Sequence, residues 1–289
     1  MRNLGLKSLL AAGALALAFA GPSLAADLPV KAVAAPAPAP GAPDFDVAFG
    51  GGIMSDYIFR GITQSNHGAS ATAYFEPHYK EFYIGIAGSG IDWPSSANYA
   101  LNDPSAEVDF YGGWRPTVGK WTFDLGYIYY LYPKTAFNTF SSDFYEFYLK
   151  AAYAVTDQLT IGGAVYYSPN LLNYGDESDY WEVNAKYTLP GSYFAPGWGM
   201  YLSGAYGYFH VQKGDIPTVP SYSTWNVGGG FTYKALTLDL RYSDTNLGKT
   251  GGANSECARF WVGGPATSGW CNGAFAAKLS FDLLASALK

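Results

Sequence analysis

Residues 106–115 read AEVDFYGGWR, with Glu107, Asp109 and Arg115 on one parity and Val108, Phe110 and Trp114 on the other. Side chains of an extended strand point alternately to opposite faces, so this is a strand with one charged face and one apolar face. The same sorting recurs along the chain. Lys120 shares a parity with Asp124, Glu146 with Lys150, Glu182 with Lys186, Asp239 with Arg241, and Lys278 with Asp282. A face that meets hydrocarbon enforces such sorting, because a lipid-facing Lys or Arg near the bilayer midplane costs about 2 to 4 kcal/mol.

Working outward from that stretch, residues 44–289 divide into twelve alternating segments with no 3.6-residue period. Connections alternate in length. Residues 80–81, 116–119, 156–157 and 234–235 are short, 190–197 somewhat longer, whereas 62–68, 92–104, 133–142, 169–178, 211–220 and 244–271 are long. Tight turns at one rim and large loops at the other predict an all-β, antiparallel up-and-down transmembrane barrel of about twelve strands, with both termini periplasmic. Ten of the twelve segments carry an aromatic at the turn end: Phe45, Tyr79, Phe82, Trp114, Trp121, Tyr153, Tyr187, Trp198, Tyr233 and Phe281. Such a girdle belongs at a membrane interface.

The flanking sequence agrees with export. Residues 1–25 combine Arg2 and Lys7, an apolar run from Leu9 to Ala20 and small residues at Ser23 to Ala25, the pattern of a cleavable signal peptide. Residues 26–43 are Ala/Pro-rich and read as an extended periplasmic leader. Without the signal, 15 Lys and Arg stand against 23 Asp and Glu, net -8, which excludes a partner held by phosphate neutralisation. No nucleic acid is therefore expected. Charged residues make up only 14% of the chain, and Tyr alone numbers 25, as suits strands with one lipid-facing side. The expected surroundings are outer-membrane lipid and lipopolysaccharide of a bacterial cell, with a homo-oligomer left open.

The inward parity collects Asp46, Glu76, Glu107, Asp109, Asp124, Glu146, Glu182, Asp239 and Asp282 against Arg115, Lys120, Lys150, Lys186, Arg241 and Lys278. Acids lead, so a water-filled lumen lined by these residues would pass small hydrophilic solutes with a mild cation preference. The opposing reading is that they pair and plug the lumen, leaving a structural or adhesive barrel that works through its outer loops. Asp56 and Arg60, four residues apart at the outer end of the first segment, fall on one face of an extended strand and are candidates for shaping the entrance.

A catalytic alternative rests on His210 and Ser223, which continue the outward phase of neighbouring segments at their outer ends, where a base and a hydroxyl could act on lipid. The sequence offers no third group to orient His210 and no Gly-x-Ser-x-Gly elbow. Cys257 and Cys271 are the only cysteines, and an exported chain allows them to form a disulfide across the last long loop. They are too few for a metal site, no phosphate-cradling loop occurs, and no cofactor is expected. Whether the loop at 244–272 folds into the pore stays open.

Four stretches resemble the TorF family of exported proteobacterial porins: SDYIFRGITQS at 55–65, LGYIYY at 125–130 with Tyr132 and Pro133, YYSP at 166–169, and LDLRY at 238–242 with Asp244. The resemblance spans most of the mature chain and implies a barrel with a channel role. In one respect the chain departs from outer-membrane proteins at large, which commonly end on an aromatic, whereas Phe281 is followed by residues 282–289. A strand ending at Phe281 with a short tail is one expectation, a shifted register the other.

Overall fold

The alternating segments are rich in Tyr, Phe, Trp, Val and Ile, residues that fit a pleated, half-buried surface, and they form strands throughout. A computed structural model describes residues 43–93, 104–133, 141–173, 175–212, 220–248, 256–257 and 269–288. The export signal, most of the leader and parts of the long loops lie outside the described residues. Twelve long strands follow in order: β1 (Phe45–Met54), β2 (Ser70–Tyr79), β3 (Phe82–Gly90), β4 (Ala106–Trp114), β5 (Trp121–Leu131), β6 (Phe144–Ala154), β7 (Leu159–Ser168), β8 (Ser178–Thr188), β9 (Trp198–Val211), β10 (Tyr222–Tyr233), β11 (Leu236–Thr245) and β12 (Ala274–Leu284). Each pairs antiparallel with its neighbours in sequence, and β1 pairs with β12, Met54 opposite Lys278, which closes the sheet on itself. Strands of ten residues at about 3.3 Å per residue, tilted by roughly 40°, give a wall about 25 Å tall.

Most of the aromatic residues at the turn ends are direct cross-strand partners of one another. Phe45 faces Tyr79, Tyr79 faces Phe82, and Phe82 faces Trp114; Trp121 faces Tyr153, Trp198 faces Tyr233, and Phe281 faces Leu236. They form a ring around one rim. Above it the outward positions stay apolar, with Ile53, Ile84, Val183, Val227 and Phe275 all more than 60% exposed. An apolar surface that continues around the wall far exceeds the patch of a few hundred Å² that a monomer usually shows to water.

Inside, tyrosines and charged residues fill the lumen. Glycines make room for them: a Cβ at Gly230 would lie 2.4 Å from the Tyr201 ring, so larger side chains are excluded there. Two expectations about the chain's course need correction. Strand β12 keeps its expected register but runs past Phe281 to Leu284, and a 3-10 turn at Ala285–Leu288 follows. There the Ser286 amide donates to Asp46 Oδ1 at 3.0 Å, and the Ser286 hydroxyl donates to Oδ2. The stretch after β1 is also not an extended strand end. It turns inward as a small hairpin, Ile58–Phe59 pairing with Ile62–Thr63, and Tyr57, Ile58, Arg60 and Ile62 are all buried.

Candidate functional site

The hairpin is short because its turn is tight: Arg60 and Gly61 both adopt left-handed backbone, at φ 47° and 81°. Glycine is at ease there, whereas arginine is not. The Arg60 guanidinium reaches the barrel wall and forms a two-pronged ion pair with Glu146 of β6, Nη1 to Oε1 and Nη2 to Oε2 both at 2.8 Å. Its Cζ lies 4.4 Å from the Tyr180 ring centre, 4.7 Å from Phe59, 4.9 Å from Tyr166 and 5.6 Å from Phe209. Tyr130 completes the setting by donating its hydroxyl to Glu146 Oε2 at 3.1 Å.

Asp56 and Arg60 therefore do not pair, because the chain between them bends rather than extends. Asp56, at the other end of the hairpin, accepts hydrogen bonds from Thr63 and Ser65 and meets His67 Nδ1 at 2.8 Å. On its far side His67 Nε2 meets the Gly269 carbonyl at 2.9 Å, and the Thr63 amide donates to the Trp270 carbonyl at 3.1 Å. Gly269 and Trp270 precede Cys271, which forms the disulfide with Cys257. The last long loop thus holds the first one. The first connection enters the lumen; residues 249–255 and 258–268 of the last lie outside the described residues.

Below the hairpin, two charge clusters occupy opposite arcs of the wall. In one, Arg115 reaches Glu76 of β2 and Asp124 of β5, each at 3.2 Å, and stacks 4.0 Å over Tyr83, whose hydroxyl donates to Asp124. In the other, Arg241 of β11 holds Asp239 at 3.1 Å, Asn226 at 2.6 Å and Ser203 at 2.8 Å, and Tyr201 also donates to Asp239. Glu107 accepts from Tyr57 of the hairpin and from Tyr132, both at 2.6 Å. Glu182 accepts from Tyr180 and Asn184. Lys150 lies over Tyr148 and Tyr166, and Lys186 over Tyr201. Lys278 faces Asp239 in register. Asp109 differs: it is fully buried, and neither carboxylate oxygen has a hydrogen-bond partner among the described residues.

The predicted inward set accordingly faces inward, with two adjustments. Lys120 sits in the exposed turn before β5, its Nζ near the Val155 carbonyl. Most of the others are buried among rings and one another and do not line free water, since the hairpin and the tyrosines occupy the space between them. Sequence reasoning missed these tyrosines, although Tyr148 and Tyr180 share the parity of the charges on their strands, and Tyr83, Tyr166 and Tyr201 lie on the parity opposite the outward apolar residues of theirs.

At the rim that carries the long connections, His210 Nδ1 meets Asp179 Oδ1 at 3.0 Å, which supplies the orienting carboxylate that the sequence did not reveal. Ser223 lies opposite Tyr208, and its hydroxyl shares a 2.8 Å hydrogen bond with Tyr206, so it is engaged one pleat away from His210.

A family model described as "Bacterial protein of unknown function (Gcw_chp)" matches residues 38–262. No curated protein matches the chain. Among solved structures the fold is similar to a KdgM porin, at 9% identity over 82% of this chain and 97% of that one, TM-score 0.43. It is similar to LpxR from Salmonella typhimurium, at 11% identity over 81% and 99%, TM-score 0.42. A third likeness is to the Pseudomonas putida toluene transporter TodX, at 9% identity over 84% and 89%, TM-score 0.38. These likenesses concern the fold alone. The resemblance to TorF, carried by four motifs, stays a resemblance.

Proposed function

The chain belongs to the Gcw_chp family of bacterial proteins, and from the barrel it builds we infer that it is an outer-membrane, porin-like channel for small hydrophilic solutes. One observation carries this reading: the charged groups of the strand interiors face inward while an apolar wall with an aromatic rim faces outward. Such a wall suits lipid, and a polar lumen suits hydrated cargo. Acids lead the inward set, which favours cations. The hairpin at 55–68 occupies the lumen, so passage requires it to move. Planar-bilayer recording of the refolded mature chain tests this: discrete, cation-preferring steps are expected, and they become more frequent when residues 57–66 are deleted. Silence from folded protein with and without the hairpin would point instead to a closed barrel acting through its loops.

A second reading has one observation in its favour, the Asp179–His210 pair on the outward face. A carboxylate-oriented imidazole is half of a hydrolytic device, and Ser223 would have to leave Tyr206 to complete it. Lipid ester cleavage lost in both His210→Ala and Ser223→Ala would establish it. Cleavage that survives Ser223→Ala would sink it.

A further inference from the structure

Arginine is a poor choice for a left-handed turn position, so its presence at 60 calls for a reason in its side chain. The place where that side chain ends is built by other elements. Glu146 comes from β6, Tyr166 from β7, Tyr180 from β8 and Phe209 from β9, four consecutive strands of the wall, and Phe59 alone from the hairpin. A buried carboxylate, 1% exposed and walled by ring faces, is a receptor for an organic cation. It does not suit a small metal ion, which would require several more oxygen ligands.

We propose that this box is the channel's binding site for solutes bearing a guanidinium or alkylammonium group, and that Arg60 occupies it in cis when the channel is shut. The inference rests on the porin-like reading and names its substrate class. A free cation that takes Glu146 releases Arg60, the hairpin loses its hold on the β6–β9 arc, and the lumen opens to the solute that unlatched it. Because Arg60 is tethered, it competes at an effective concentration in the millimolar range or above, so the free ligand is expected to act at roughly 10–100 mM.

The test uses the full mature barrel in detergent micelles carrying Ser65→Cys. Ser65 is buried in the hairpin, and the two native cysteines are joined, so the new thiol reports hairpin release alone. Methylguanidinium, which reproduces the tip of Arg60, should raise the rate of labelling by a polar maleimide several-fold and saturably. Urea and equal ionic strength of KCl should leave it unchanged. Added Glu146→Gln should make labelling fast and indifferent to methylguanidinium. Should that variant not fold, Arg60→Gly, which the left-handed turn accepts, serves in its place: its labelling should be fast without ligand, and its melting temperature should rise with methylguanidinium. Labelling of the Ser65→Cys protein that ignores methylguanidinium up to 100 mM would overturn the proposal, whatever Arg60→Gly does. A response in labelling together with silent bilayers would leave the cation box standing and count against the pore.

Discussion

Glu146 and Asp109 are buried carboxylates on neighbouring parts of the same inner wall, yet they should respond to neutralisation in opposite directions. Glu146 is held by two guanidinium nitrogens and a tyrosine hydroxyl, and removing one partner of a buried pair strands the other charge at a cost of about 3 to 5 kcal/mol. Glu146→Gln should lower the urea midpoint of the barrel in lipid vesicles. Asp109 accepts no hydrogen bond among the described residues, so Asp109→Asn breaks none and should leave the midpoint unchanged or raise it. A fall as large as that of Glu146→Gln would mean that Asp109 has a partner in the membrane-embedded protein. The inward position of both residues was legible from parity alone. Their partners were not, because Arg60 reaches Glu146 across 86 residues of chain and parity says nothing about what crosses a lumen.

Among elements, the strands were readable and the inward hairpin was not. Alternation, turn spacing and rim aromatics fix where strands β1 to β12 run, since each is a local or nearest-neighbour property. The segment at 55–65 alternates too little to be a strand and carries Asp56, Arg60 and Gln64 in a stretch that ends buried. Reading Asp56 and Arg60 as one extended face missed the Arg60–Gly61 turn, which the glycine at 61 could have signalled. The hairpin leans on the last loop through His67 and Thr63. Replacing both Cys257 and Cys271 by Ala should therefore speed deuterium exchange at the Thr63 amide, while strands β6 to β9 keep their protection. Unchanged exchange at Thr63 would show that the contacts inside the lumen, Arg60 with Glu146 and Tyr57 with Glu107, hold the hairpin without the disulfide. At the other rim the tail after β12 binds Asp46, and deleting residues 285–289 should lower the thermal stability of the folded barrel without altering its strand content.

For the whole molecule, the proposed channel rests on an apolar wall around a polar, acid-biased lumen in which the hairpin and the tyrosines sit. That description unites the parity of the charges, which the sequence displays, with the packing of the tyrosines and the hairpin, which it does not. The most direct measurement is single-channel conductance of the refolded mature chain under a KCl gradient, compared with the variant lacking residues 57–66. Discrete steps with a cation-selective reversal potential, infrequent in the intact chain and frequent in the variant, are the predicted result. Folded barrels that conduct in neither form, or an anion-selective reversal potential, would contradict it.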